Sequence, residues 1–233
     1  MGGKAAWLWL PLLAAVLGLA ACEQKPAARH AAPAQQIAAA VPGSEQNSLA
    51  SAPVIVALGD SLTAGFGLLE KQSFPALLRE RLRREGYPYR VVNAGVSGDT
   101  SAGGLARMDW LLQHPVVIFI VALGANDGLR GVKPQAIRAN LEGIVARARA
   151  ADARVLLVGM ELPSNYGRAY RAEFSGLFPA LAQRLELAFL PFLLEGVAAR
   201  RDLNQADGIH PNAQGQAIVA ENVWRVLEPM LER

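Results

Sequence analysis

The chain has 233 residues, enough for one sizeable domain and a tail, since domains usually run to roughly 100–200 residues. Its formal charge of +3 rests on 23 basic and 20 acidic residues, a balance that excludes a strongly basic nucleic-acid binder, and its single cysteine cannot build a disulfide framework or a Cys-based metal cluster. The hydrophobic content of 52% overstates the greasiness of the domain, because Ala5 to Ala21 is almost wholly apolar.

Residues 1–21 carry one charged side chain, Lys4, ahead of an apolar run that stops at Cys22. The run is shorter than the roughly 20 residues of a spanning helix, so it reads as a secretion leader. Leu19-Ala20-Ala21-Cys22 resembles the lipobox of bacterial lipoproteins, where the thiol is diacylated and the leader is cut off just before it. That resemblance makes Cys22 a lipidated mature N-terminus, and Glu23, a residue other than Asp at the next position, implies an outer-membrane anchor facing the periplasm. The alternative is an ordinary signal peptide with an unrelated cysteine. Residues 22–53 are rich in Ala, Pro, Gln and Ser with no apolar period, the composition of a tether rather than of a packed element.

Residues 54–233 are expected to fold. Val54 to Leu58, closed by Gly59, is a short β-branched run of the kind that suits a strand buried on both faces of a parallel sheet, and Arg90–Val92, Val116–Leu123, Val155–Met160 and Phe189–Phe192 repeat the signal. Between them lie helical patterns: Phe74, Leu77, Leu78 and Leu82 up to Gly86; a segment from Gly103 to Leu112; Ile137, Leu141, Ile144, Val145 and Ala148 after Pro134; Arg168–Leu185; and Pro211–Leu231. Strand and helix alternate, which predicts an α/β chain, a three-layer α/β/α sandwich around a parallel sheet of about five strands with right-handed crossovers. The basic stretch from Arg79 to Arg84 is interleaved with Glu80 and Glu85 and reads as a solvated helix face.

In an open parallel sheet, ligands bind beyond the carboxyl ends of the strands. Gly59-Asp60-Ser61-Leu62 follows the first run, Asn93 to Asp99 the second and Gly124 to Gly128 the third, so three polar, glycine-rich turns converge on one edge. Asp207-Gly208-Ile209-His210-Pro211 supplies a carboxylate and an imidazole three residues apart, ahead of the last helix. A serine hydroxyl needs a base to take its proton, and a carboxylate on the far ring nitrogen fixes that base's tautomer. Of the three histidines, His30 falls in the tether and His114 at the entry of a strand, on the opposite edge; only His210 has an acidic partner close in sequence. The candidate catalytic set is Ser61, His210 and Asp207. Asp60, Asp99 and Asp127 read as organisers of their turns.

These residues resemble the SGNH, or GDSL, hydrolase family, in particular its periplasmic thioesterase I, lysophospholipase and arylesterase branch. The resemblance spans Val54 to Leu231 through four blocks in order: Ser61; Gly98 in Ser97-Gly98-Asp99-Thr100; Asn126; and Asp207 with His210. It implies a flavodoxin-like SGNH fold and an oxyanion hole made by the N–H groups of Ser61 and Gly98 and the amide of Asn126. It also implies acyl-ester and thioester hydrolysis through an acyl-enzyme, with no cofactor or metal. Leu162 and Tyr166, after the fourth strand run, would line an acyl groove. The expected partners are a small acyl-ester or lipid substrate and the membrane reached through Cys22, with no nucleic acid; the expected state is a monomer. A metal-dependent phosphoesterase is disfavoured because only His114 and His210 are available in the domain as imidazole ligands. An envelope carbohydrate O-deacetylase and a non-catalytic tethered binding lipoprotein are the remaining alternatives.

Overall fold

The computed structural model describes residues 52–233; the expected leader, Cys22, and all of the expected tether except Ala52 and Pro53 lie outside the described residues. Strand β1 (Val54–Gly59) is buried at every position, and a single residue, Asp60, separates it from helix α1 (Ser61–Ala64). There follow α2 (Phe74–Arg84), β2 (Arg90–Gly95), α3 (Ser101–Ala106), α4 (Met108–Leu111), β3 (Ile118–Ala122), α5 (Ala125–Leu129) and α6 (Pro134–Ala150). The chain closes with β4 (Arg154–Val158), α7 (Arg168–Arg184), β5 (Ala188–Leu190) and α8 (Ala213–Leu227).

The five strands form one sheet, every neighbour parallel, in the order β2-β1-β3-β4-β5. The α/β sandwich read from the sequence is the architecture observed. Burial explains the patterning: β1 and β3 are inside on both faces and tolerate only apolar side chains, while the edge strands β2 and β5 are buried at some positions only. Helices α2 and α8 pack together beside the sheet, and α3, α6 and α7 form a second packed group. Each long helix turns one stripe inward, Phe74, Leu78 and Leu82 from α2, and Ile137, Leu141, Ile144, Val145 and Ala148 from α6. Between α8 and the first crossover, Gln216 is 1% exposed, accepting from the Phe74 N–H (2.8 Å) and donating to the Leu62 carbonyl (3.0 Å). This bond pair fixes the segment behind Ser61 to the last helix.

Several boundaries differ from the sequence reading. The helix expected over 103–112 is two short ones, α3 and α4, broken at Arg107 (φ −98°, ψ 4°), whose guanidinium reaches back to Asp99 and to the Gly59 carbonyl. The last strand stops at Leu190, after which the regular ladder is lost: the Gly159 carbonyl takes the Leu193 N–H (3.1 Å) rather than that of Phe192. The last helix begins after Asn212, which accepts from the N–H groups of Gln214 and Gly215, and its end tightens into a 3₁₀ turn at Glu228–Met230. Two turns expected as loops, at Ser61 and at Ala125, are short helices.

Because β1 connects to β2 on one side and β3 pairs on the other, the strand order reverses at β1, and the carboxyl ends of β1 and β3 flank a crevice. Ser61 follows β1 and Asn126 follows β3.

Candidate active site

The turn after β1 is built for close approach. A Cβ at Gly95 of β2 would lie 2.2 Å from the backbone nitrogen of Ala64, so only glycine lets α1 pack against that strand. Asp60 is 1% exposed; its Oδ1 accepts from Leu62 N–H at 3.0 Å and its Oδ2 from the Asn126 amide at 3.2 Å. Burial pushes the Asp60 carboxyl up to about 6, against the lowering pull of those two donors.

Ser61 is half-buried at the start of α1, and its Oγ lies 3.0 Å from Nε2 of His210. On the far side of the ring, Nδ1 lies 2.7 Å from Oδ2 of Asp207. The His210 backbone N–H and ring and the Ile209 N–H hold the Asp207 carboxyl down to about 2, so it is an ionised acceptor at any working pH. An ionised acceptor on Nδ1 places the imidazole proton there and leaves the Nε2 lone pair facing the Ser61 hydroxyl. The loop carrying this pair is anchored by the bridge between Asn204 and Pro211, by Gln205 N–H to the His210 carbonyl (2.8 Å), and by the Gln205 side-chain amide, which donates to the carbonyls of Phe66 (2.7 Å) and Pro211 (3.1 Å). The Phe66 ring stands 4.7 Å from the His210 ring.

Gly98 has φ +80°, which favours glycine, and among the described residues neither its N–H nor that of Ser61 donates to a protein acceptor. Both donors are therefore available to a ligand oxygen, as is the second hydrogen of the Asn126 amide. The neighbouring carboxylates are occupied structurally: Asp127 accepts from the N–H and hydroxyl of Ser101 (2.7 Å each), and Asp99 from Arg107 (2.9 Å). His114 is exposed at the entry of β3, away from this edge.

The structure thus brings Ser61, Asp207 and His210 into one hydrogen-bonded line and ties Asn126 to the residue before Ser61. Leu162 is 5% exposed and lies with Phe174 against Gly128, at the border of a surface pocket it shares with Glu161, Arg168 and Arg171. Tyr166 remains half-buried with its hydroxyl on the Leu129 carbonyl (3.1 Å). Sequence reasoning missed Gln205, Phe66 and the Asp60–Asn126 bond. Only the position of Asp60 beside Ser61 gave any signal; a loop glutamine and a lone phenylalanine carry none.

Residues 57–218 match the model of the GDSL-like lipase/acylhydrolase family. The chain belongs to that family. Among similar proteins is the esterase TesA of Pseudomonas aeruginosa, 48% identical over 183 residues that cover 78% of this chain and 91% of the relative. Another is the thioesterase 1/protease 1/lysophospholipase L1 of Escherichia coli K12, 42% identical over 183 residues, 78% of this chain and 86% of the relative. A crystal structure of TesA superposes with a TM-score of 0.74 at 47% identity, covering 76% of this chain and 99% of the solved one. That solved chain, matched almost end to end by three quarters of this one, indicates that a GDSL-like domain of this kind folds without the N-terminal segment.

Proposed function

We propose that the chain is a serine hydrolase of acyl esters, aryl esters, lysophospholipids and acyl thioesters among them, acting through an acyl-enzyme on Ser61. The observation that carries the reading is the line Ser61 Oγ, His210 and Asp207, with contacts of 3.0 and 2.7 Å. Ser61 Oγ attacks the carbonyl carbon while His210 Nε2 takes its proton, and Asp207 stabilises the imidazolium and holds its orientation. The tetrahedral oxyanion is received by the Ser61 and Gly98 N–H groups and the Asn126 amide. His210 then gives the proton to the leaving oxygen or sulfur, and water, activated by the same imidazole, releases the acid.

The substrate classes are those named for the relatives, esterase and thioesterase/lysophospholipase, and the sequence identity over most of each relative's length supports extending them here. The same proposal covers the chain's organisation: a leader over residues 1–21, a lipid anchor on Cys22 with a tether over 22–53, and a monomeric hydrolase domain over 54–233 held at the outer membrane facing the periplasm. The Leu-Ala-Ala-Cys stretch at 19–22 supports the anchor, and among the described residues no helix is long and apolar enough to cross a membrane.

The test is hydrolysis of p-nitrophenyl esters from acetate to palmitate by wild type and Ser61→Ala. The expected outcome is cleavage of medium and long chains by wild type, with kcat of the folded variant lower by about 10⁵–10⁶-fold. Cleavage of acetate alone would favour the deacetylase alternative, and equal rates would remove Ser61 from the mechanism.

A further inference from the structure

Six large apolar side chains among the described residues are exposed: Phe66 (50%), Leu69 (62%), Val96 (50%), Trp110 (66%), Leu129 (37%) and Ile209 (56%). Scattered singly over a surface, such residues need no explanation. Here five of the six follow the carboxyl ends of β1, β2 and β3 or sit on the His210 loop, and only Trp110, on α4, lies elsewhere. Phe66, Val96, Leu129 and Ile209 lie on the segments that carry Ser61, Gly98, Asn126 and His210, and Leu69 follows Phe66 by three residues. Phe66 stands against the His210 ring, and Ile209 is the residue before it. Leu129 is held by Tyr166 through its carbonyl, while the next residue, Arg130, reaches across to the Gly98 carbonyl (3.0 Å), two residues after Val96.

The same edge has a bias of charge. Lys71, two residues after Leu69, Lys133, at the start of α6, and Arg168, at the start of α7, have no acidic partner among the described residues. Of the acids there, Glu70 is paired with Arg79, Asp99 with Arg107 and Asp207 with His210; Asp60 and Asp127 are buried and hydrogen-bonded, which leaves Glu161 as the exposed acid with no cation beside it. An apolar collar bordered by free cations matches the interface of a bilayer with anionic headgroups, where apolar side chains enter the acyl boundary and cations meet phosphates. The length of sequence ahead of the domain permits the approach. The 31 residues from Glu23 to Pro53 can span about 100 Å when extended, against a diameter of about 40 Å for a domain of this size. A lipid on Cys22 therefore leaves room for the edge bearing Ser61 to turn toward the membrane, although the chain enters the domain at the opposite edge.

We propose that the collar of Phe66, Leu69, Val96, Leu129 and Ile209 is a docking surface for an anionic phospholipid bilayer, so that Ser61 meets acylated lipids at the interface. The purpose of docking rests on the ester-hydrolase reading; the docking itself is measured without hydrolysis.

The experiment is co-sedimentation of the domain over residues 52–233, without any lipid anchor, with phosphatidylcholine vesicles and with vesicles that also contain phosphatidylglycerol. Binding to the anionic vesicles is expected, weakening as salt is raised. Leu69→Ser combined with Val96→Ser should weaken it at least about tenfold, because two exposed apolar side chains no longer enter the interface. Hydrolysis of dissolved p-nitrophenyl acetate should stay unchanged in that variant. No binding at low salt, equal binding by the double variant, or loss of binding in Trp110→Ala instead would overturn the proposal. So would a variant that binds vesicles normally but loses activity on dissolved long-chain esters, since the collar would then be only an acyl cleft. Wild type that binds vesicles but hydrolyses no ester would uphold docking and overturn the ester-hydrolase reading.

Discussion

Asp60, one residue before Ser61, is 1% exposed at the end of a strand with neighbours on both sides, whereas Asp207, three residues before His210, has a side chain 39% exposed on a loop. The first carboxyl is pushed up to about 6 by burial and the second is held down to about 2 by the donors of Ile209 and His210. The Ser61 half of the site takes its rigidity from the core. The His210 half takes it from short local hydrogen bonds and from the Gln205 amide across to Phe66. The lesson is that one site can be held by two kinds of support, and that damage to each should look different in kinetics and in stability.

The largest expected effect beyond loss of Ser61 comes from breaking the exposed half. Asp207→Asn replaces an ionised acceptor with an amide that can no longer impose the Nδ1 proton, and kcat should fall by about 10⁴-fold, read from steady-state ester hydrolysis. The fold should be retained, since the side chain contacts only its own loop. A fall in melting temperature large enough to unfold the variant at assay temperature would break the comparison.

In the buried half, Asp60→Asn keeps the shape and the acceptor for Leu62 but sets a donor against the Asn126 donor. The Asn126 amide must then turn its oxygen toward position 60 and its NH₂ away from the crevice. The expected outcome is a fall in kcat of about 100- to 1000-fold with KM little changed, the cost of losing one oxyanion donor. A loss confined to KM would show that Asn126 binds substrate rather than transition state.

The smallest effect is on stability and sharpens the contrast between the two carboxyls. The folded-state value of Asp60 lies above its ordinary 3.8, so the folded protein holds an extra proton between 3.8 and about 6. The stability this confers is complete below 3.8 and lost as pH rises through about 6. Asp207 has the opposite sign, its contribution present above 3.8 and lost as pH falls through about 2. Denaturant unfolding of wild type and Asp60→Asn across this range should therefore show the variant gaining on wild type between pH 4 and 6, by about 3 kcal/mol at most, with no further gain above pH 7. A difference independent of pH would mean that Asp60 is not buried as an ionisable group.

The two halves were legible in the sequence for different reasons. Val54 to Gly59 announced a central strand because a strand buried on both faces admits little but apolar residues, and the three-residue interval between Asp207 and His210 announced a local pair because the contact is local. Element types and the catalytic candidates could be read on those grounds. The burial of Leu162 was not legible, because an apolar residue after a strand suits a groove or a core equally and its packing beside Phe174 and Gly128 is a tertiary contact.

Residue type and short spacing were enough to read the alternation of strand and helix, the polar turns at the strand ends and a serine, a histidine and a carboxylate as candidates. That Ser61 meets His210 across 149 positions, that Asn126 hangs from Asp60 and that Phe66 stands against the His210 ring are visible in three dimensions alone. The physical reason is that strand order β2-β1-β3-β4-β5 brings together segments far apart in the chain, and such contacts leave no period or spacing to be read.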